Sequence, residues 1–219
     1  EFGKIGKSLK NMISPDDMCQ EYGADTLRMY EMFMGPLEMS RPWSTSDVSG
    51  VYRFLQRLWR SIVDEESGKA KVSDREPSEE LAKLLNKTIA AVAIDYGQLS
   101  FNTAIAKLFE LNNEVTKYVG AGNDCPRQVA ESMALMVAPL APHIGQELWS
   151  ILGHEGSLVY EPFPVADEKY LVDETIEIPV QILGKVKSRI NVSPDASAKE
   201  IEEAARADEA TAKQLEGKT

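Results

Sequence analysis

Lysines recur through the opening stretch EFGKIGKSLKNMISP at Lys4, Lys7 and Lys10, and Gly6-Lys7-Ser8 copies the last three residues of a phosphate-binding P-loop. A P-loop wraps successive backbone N–H groups around phosphates, so it needs a glycine five positions earlier, a strand leading in and a helix leading out. Counting back from Gly6 reaches Glu1, and a fresh helix start at Ser14-Pro15 follows too soon. The P-loop reading is therefore excluded. Taken alone, the stretch is a glycine-containing basic turn. Two further cationic arrays stand out. Arg53, Arg57 and Arg60 fall on one stripe of a helix, which reads either as a solvated edge or as a contact for a polyanion. Lys185, Lys187 and Arg189 alternate along a strand onto one face, leaving Val186, Ser188 and Ile190 on the other. Cys19 and Cys125 lie far apart without ligand spacing, so the sequence supports neither a disulfide framework nor a metal site.

The elements that must position these groups are mostly helical. Ser14, Pro15 and Asp16-Asp17 start a helix that Gly23 ends, and a second runs from about Asp25 to Met34, where Gly35-Pro36 stops it. Ser46-Asp47 opens a longer helix to about Asp64, with Val48, Val51, Tyr52, Leu55, Leu58, Trp59 and Ile62 as its buried stripe. Trp43 beside Arg41, just before it, could stack on a base or pack internally. A charged surface loop follows. Ser78 caps the next helix, a further one spans about Asn102 to Val119, Pro126 opens another, and APLAPH interrupts the apolar stretch ahead of a cap at Gly153. Several helices joined by short links make an antiparallel bundle. The character changes at SLVYEPFPVADEKYL, a connector with no helical period. Two β-branched runs around Gly184 then form a hairpin, Ser197 and Glu200 make a capping box, and Asp208 starts a last helix. This α+β unit, from near Asp173, reads as incomplete.

Composition bounds the rest. At 219 residues, 43% hydrophobic and 27% charged, the chain is an ordinary globular protein able to bury a core. A net charge of −11 excludes a wholly basic nucleic-acid-coating surface and argues against DNA binding, while leaving room for local basic patches. No membrane span or signal peptide is expected, and two unpaired cysteines suit the cytoplasm. The opening at Glu1, without an initiator Met, reads as part of something longer.

GKIGKSLKN followed by YGADTLRMY resembles the Lys-Met-Ser-Lys-Ser block of class I aminoacyl-tRNA synthetases, with Lys4-Ile5-Gly6-Lys7-Ser8 in place of the signature. GVYRFLQRLWR, FNTAIAKLFELNNEV, LAPHIGQELWSILG, EPFPVADEKYL and IPVQILGKVKSRI extend the resemblance to the bacterial leucyl-tRNA synthetase family across nearly the whole chain. It implies a mainly α fold with residues 1–45 as signature loop and stem-contact helices, 46–156 as anticodon-binding bundle, 157–172 as connector and 173–219 as part of a C-terminal tRNA-binding unit. It also implies that Lys7 is catalytic and that Lys4, Lys7 and Ser8 contact ATP, which with Mg2+ and leucine is a substrate of the full enzyme. Lys10, Arg53, Arg57, Arg60, Lys185, Lys187 and Arg189 are its implied contacts to tRNA(Leu). No bound cofactor and no activity are expected of the isolated fragment. Gly6 departs from the usual serine and Ile5 from methionine, so the first serine's role does not carry over. His143-Ile144-Gly145 imitates the family's His-Ile-Gly-His, but it lies after the lysine loop and inside a helical stretch, where a structural histidine is expected; His154 is expected to complete a helix end. The equivalent part of an isoleucyl, valyl or methionyl synthetase, or a non-catalytic RNA-binding or assembly module, are the alternatives.

Overall fold

The computed structural model describes residues 13–172, 176–182, 185–193, 196–208 and 211, which divide into two compact units, Glu1–Asp167 and Glu168–Thr219. Lys4, Lys7, Ser8 and Lys10 lie outside the described residues, as does the turn at Gly184.

The first unit is helical, as expected. Pro15 occupies the first helical position of α1 (Pro15–Tyr22), where its missing N–H costs nothing, and Gly23 at φ 88° turns the chain into α2 (Ala24–Phe33). α3 (Thr45–Ile62) and α4 (Glu79–Gly97) follow, the latter capped by Ser78, whose hydroxyl accepts from the Leu81 N–H at 3.3 Å. α5 (Phe101–Gly120) returns along α4 after a short link, and α6 (Arg127–Val137) and α7 (Pro142–Ile151) complete the bundle. APLAPH proves to be a true break, with Leu140 and Ala141 buried in it and Pro142 beginning a new helix.

The core lies where α2 to α7 converge. Leu85, Ile105, Leu108, Leu111, Met133, Met136 and Leu148 are fully buried there. So is Phe54, which the expected stripe on α3 omits; it stacks on Phe109 at 4.5 Å with the planes 16° apart. Tyr52 and Trp59, expected in that stripe, are only half-buried. The apolar arc is rotated because α2, α5 and α7 all pack on α3, with Phe109 of α5 stacked directly on Phe54. Asn112, fully buried on α5, donates to the Phe54 carbonyl at 3.1 Å and ties the two helices together.

The charged loop after α3 is more ordered than its composition suggests. Val63 bridges to Ala70, and β1 (Val72–Ser73) pairs in parallel with β2 (Cys125–Pro126), so α6 starts one residue after Pro126. Arg127 fastens this edge by donating to Asp74 at 2.7 Å and to the Leu152 carbonyl at 2.9 Å. Cys125 is buried beside it, and burial pushes its thiol up to about 12.

Gly145, the glycine of the His-Ile-Gly imitation, has a packing role. A Cβ there would meet Ala138 Cβ at 2.8 Å and Ala138 Cα at 2.9 Å, neither of which is a flexible side-chain end. Gly145→Ala is expected to destabilise the bundle by about 1–3 kcal/mol, read as a lowered thermal midpoint, by forcing the α6–α7 corner apart.

In the second unit β3 (Ile176–Ile182) pairs antiparallel with β4 (Lys185–Val192), and α8 (Ala198–Ala207) packs on β4. The expected capping box is present, with Ser197 accepting from the Glu200 N–H and Glu200 accepting from the Ser197 N–H at 2.8 Å. The Ser197 N–H and then its hydroxyl, both donating to the carboxylate, hold the Glu200 carboxyl below its usual range. Asp208 accepts from the Thr211 N–H and hydroxyl, each at 3.0 Å, the pattern of a helix start.

Candidate nucleic-acid interface

The stretch YGADTLR builds the joint that holds the bundle's corner. One turn apart on α2, Asp25 and Arg28 reach opposite ends of the α6–α7 break. The Asp25 carboxylate accepts from the Ile144 N–H at 2.7 Å and the His143 N–H at 3.3 Å, and lies 2.7 Å from His143 Nδ1. It therefore caps α7 from another helix and meets the positive end of its dipole. Arg28 Nε donates to the Leu140 carbonyl at 3.1 Å, and Nη2 to that of Pro139 at 3.4 Å, just past the negative end of α6. Sequence reasoning misses this clamp, although opposite charges three apart on a helix share a face. His143 takes the structural role expected of it. His154 does too: its N–H donates to the Trp149 carbonyl, its ring stacks on Trp149 at 3.7 Å, and Nε2 lies 2.8 Å from Glu131.

The three arginines share one edge of α3, but their surroundings differ. Arg53 is exposed and donates through Nε to the Ser49 carbonyl at 3.2 Å. Arg60 donates to Glu65 at 3.0 Å in a pair more than half exposed, which contributes little to stability and leaves the guanidinium reachable. Arg57 is half-buried on the rim of a depression lined also by Leu84, Glu110, Glu114 and Lys117, with its Nε shielded and unpartnered among the described residues. Trp43 packs edge-on against Tyr30 at 4.9 Å, and Tyr30 accepts the Ser44 N–H at the start of α3, so internal packing accounts for that ring.

On β4 the alternation is broken. Val180 faces Ser188 and Gln181 faces Val186, leaving Lys187 as the extra residue of a β-bulge. Val186 is 52% exposed and does not join Ser188 and Ile190 on the covered face, a correction to the strict period of two. Lys187 and Arg189 are exposed, and Arg189 pairs with Glu177 at 2.8 Å. The Lys185 side chain lies outside the described residues.

The part of the bundle from α4 onward, and separately the hairpin with its exposed cations, matches a family found in tRNA ligases: the model for the anticodon-binding domain of tRNA ligase fits residues 79–203. The chain belongs to that family. The match begins at the start of α4 and ends inside α8. Among its relatives is the leucine–tRNA ligase of Saccharopolyspora erythraea, 58% identical over 218 residues, all of this chain and 23% of that protein. The leucine–tRNA ligase of Rhodococcus jostii is 57% identical over 99% of the chain and 23% of its own length. The chain thus spans about a quarter of the length of the relatives it matches. A solved member, the LeuRS–tRNA–LeuAMS ternary complex from Agrobacterium radiobacter K84, superposes with a TM-score of 0.75 at 28% identity, covering 97% of this chain and 28% of that one.

Proposed function

We propose that these residues are the C-terminal part of a leucine–tRNA ligase, which activates leucine with ATP and transfers it to tRNA(Leu). Identity of 55–58% to leucine–tRNA ligases over essentially the whole chain carries this reading. On it, residues 1–45 supply the lysine loop and its supporting helices, 46–156 the bundle, 157–172 a connector and 173–219 part of a second tRNA-binding unit. No helix among the described residues is long and apolar enough to cross a membrane, and the proposed site of action is the cytoplasm.

The chemistry assigned to Lys4, Lys7 and Ser8 is electrostatic. The leucine carboxylate attacks the α-phosphorus of ATP, the bond to the β-phosphate breaks, and pyrophosphate leaves. Negative charge grows on the departing phosphates, and the lysine ammoniums meet it chiefly in the transition state. No covalent enzyme intermediate is needed. Mg2+ would arrive with ATP; among the described residues no group of three or more His, Cys, Asp or Glu is placed to hold a metal ion, and none is assigned to it.

RNA contact is assigned to Lys10, to Arg53, Arg57 and Arg60, and to Lys185, Lys187 and Arg189. The Arg189–Glu177 pair is exposed on both sides, so exchanging Glu177 for a phosphate costs little. Replacing Lys185, Lys187 and Arg189 by Ala in the full-length protein is expected to weaken tRNA binding and to flatten the dependence of log K on log salt by roughly one for each phosphate no longer neutralised. A gel-shift series across salt measures both quantities. An unchanged affinity and slope would remove the hairpin from the interface.

A further inference from the structure

We infer that the cleft between α1, α3 and α7 is a site for one unpaired base of the RNA; this rests on the tRNA-ligase reading above. Tyr22, Tyr52, Gln56, Trp59, Arg60 and Ile144 line a cleft of about 310 Å³, near the lower bound for sites that take a small organic group. Tyr52, Gln56 and Trp59 succeed one another at four and three residues along α3, so two rings and an amide form a single stripe beside the arginine edge. Tyr22 from α1 meets Tyr52 edge-on at 5.8 Å and 79°, fixing that ring. All three rings are half-buried; Tyr22 and Trp59 pack against the core, and Tyr52 is held by its edge contact with Tyr22.

The polar groups suit a base and not a phosphate. The Gln56 amide, which has no partner among the described residues, offers a donor pair and an acceptor to a base edge. Among the described lining residues Arg60 is the one cation and already pairs with Glu65 at 3.0 Å, while the Asp25 carboxylate that caps α7 also lines the cleft. That balance repels a phosphate and tolerates a neutral heteroaromatic ring with amino donors. Arg53 stands next to Tyr52 in sequence, exposed and outside the cleft lining, where a backbone phosphate flanking the inserted base would meet it. A base leaving its own stack regains stacking on the rings, and the contact adds no ionic component.

The test uses the full-length protein and a tRNA(Leu) transcript, with Kd measured across a salt series. Tyr52→Leu and Trp59→Leu keep apolar bulk and remove the ring face. Each is expected to raise Kd roughly 5- to 100-fold at unchanged salt slope, with Tyr52→Phe and Trp59→Phe restoring most of the affinity. Gln56→Glu, at a half-buried position, keeps the side chain's size and shape and is expected to weaken binding as well, so the site stays testable if a Leu variant fails to fold. Chemical probing of the bound transcript is expected to show one unpaired nucleotide protected by the native protein and reopened by Gln56→Glu. Binding within twofold of the native value in the Leu variants and in Gln56→Glu overturns the inference. So does equal loss in the Phe and Leu variants, or a loss that tracks the salt slope. Native protein that binds tRNA while the variants behave alike sinks the base site alone; native protein that neither binds nor charges tRNA sinks the ligase reading and the site with it.

Discussion

Lys7→Ala in the full-length protein is expected to slow leucine-dependent ATP–pyrophosphate exchange by about 10²–10³-fold, with tRNA affinity unchanged. The size follows from what is removed. A cation that meets the negative charge developing on the departing phosphates is expected to contribute about 3–4 kcal/mol to the transition state. Because the charge grows during the reaction, the loss belongs mainly in kcat, with the KM for leucine little altered. Lys7→Arg keeps the charge but replaces a compact ammonium with a planar fork, so it is expected to recover only part of the rate. A variant that keeps kcat and raises the KM for ATP alone would assign Lys7 to ground-state binding and contradict its role as the transition-state cation.

Asp25→Ala is the structural counterpart, expected to lower the stability of the helical unit by about 2–3 kcal/mol. The Asp25 side chain is only 12% exposed and accepts two backbone N–H bonds at the start of α7 as well as facing His143 Nδ1. Removing a helix cap costs about 1–2 kcal/mol, and leaving shielded amides unpaired adds to it. For a chain of this size that corresponds to a fall of roughly 5–10 °C in the thermal midpoint of helical circular dichroism. Asp25→Asn keeps one acceptor oxygen and is expected to lose less than Ala. Arg28→Ala releases the other half of the clamp, and because both residues act on one corner, the double variant is expected to lose less than the sum of the singles. Strict additivity would mean that the two ends of the α6–α7 break are held independently.

These two residues also mark what a sequence can and cannot show. The role proposed for Lys7 rests on motifs alone, KSLKN and YGADTLR reinforcing one another, and the residue lies outside those the structure describes. The helices are legible because periodicity and caps are local: Ser78 and the Ser197–Glu200 box act within a single turn. The Asp25 clamp is not, since its partners lie 118 and 119 residues away, and nothing local sets which helix start a carboxylate will meet. The same holds for the β1–β2 pairing, which joins Val72 to Cys125. Phe54 escapes the expected stripe because a period of 3.6 locates an apolar arc but not how far neighbouring helices wrap around it. Strict alternation misplaces Val186, because a bulge at Lys187, invisible in the pattern of β-branched residues, shifts it off the covered face. The stripe of Tyr52, Gln56 and Trp59 is visible in the sequence as a helical spacing, yet two of its three members read as core there because aromatic residues usually are.

The central claim is that this chain is part of an enzyme that charges tRNA(Leu) with leucine. It is tested most directly by offering the full-length protein tRNA together with leucine, isoleucine, valine or methionine in parallel and measuring aminoacylated tRNA. Leucine alone is expected to be transferred, to tRNA(Leu) alone, while a polypeptide of these 219 residues gives background signal. Transfer of isoleucine, valine or methionine in preference to leucine, or efficient charging by the 219 residues alone, would contradict the account.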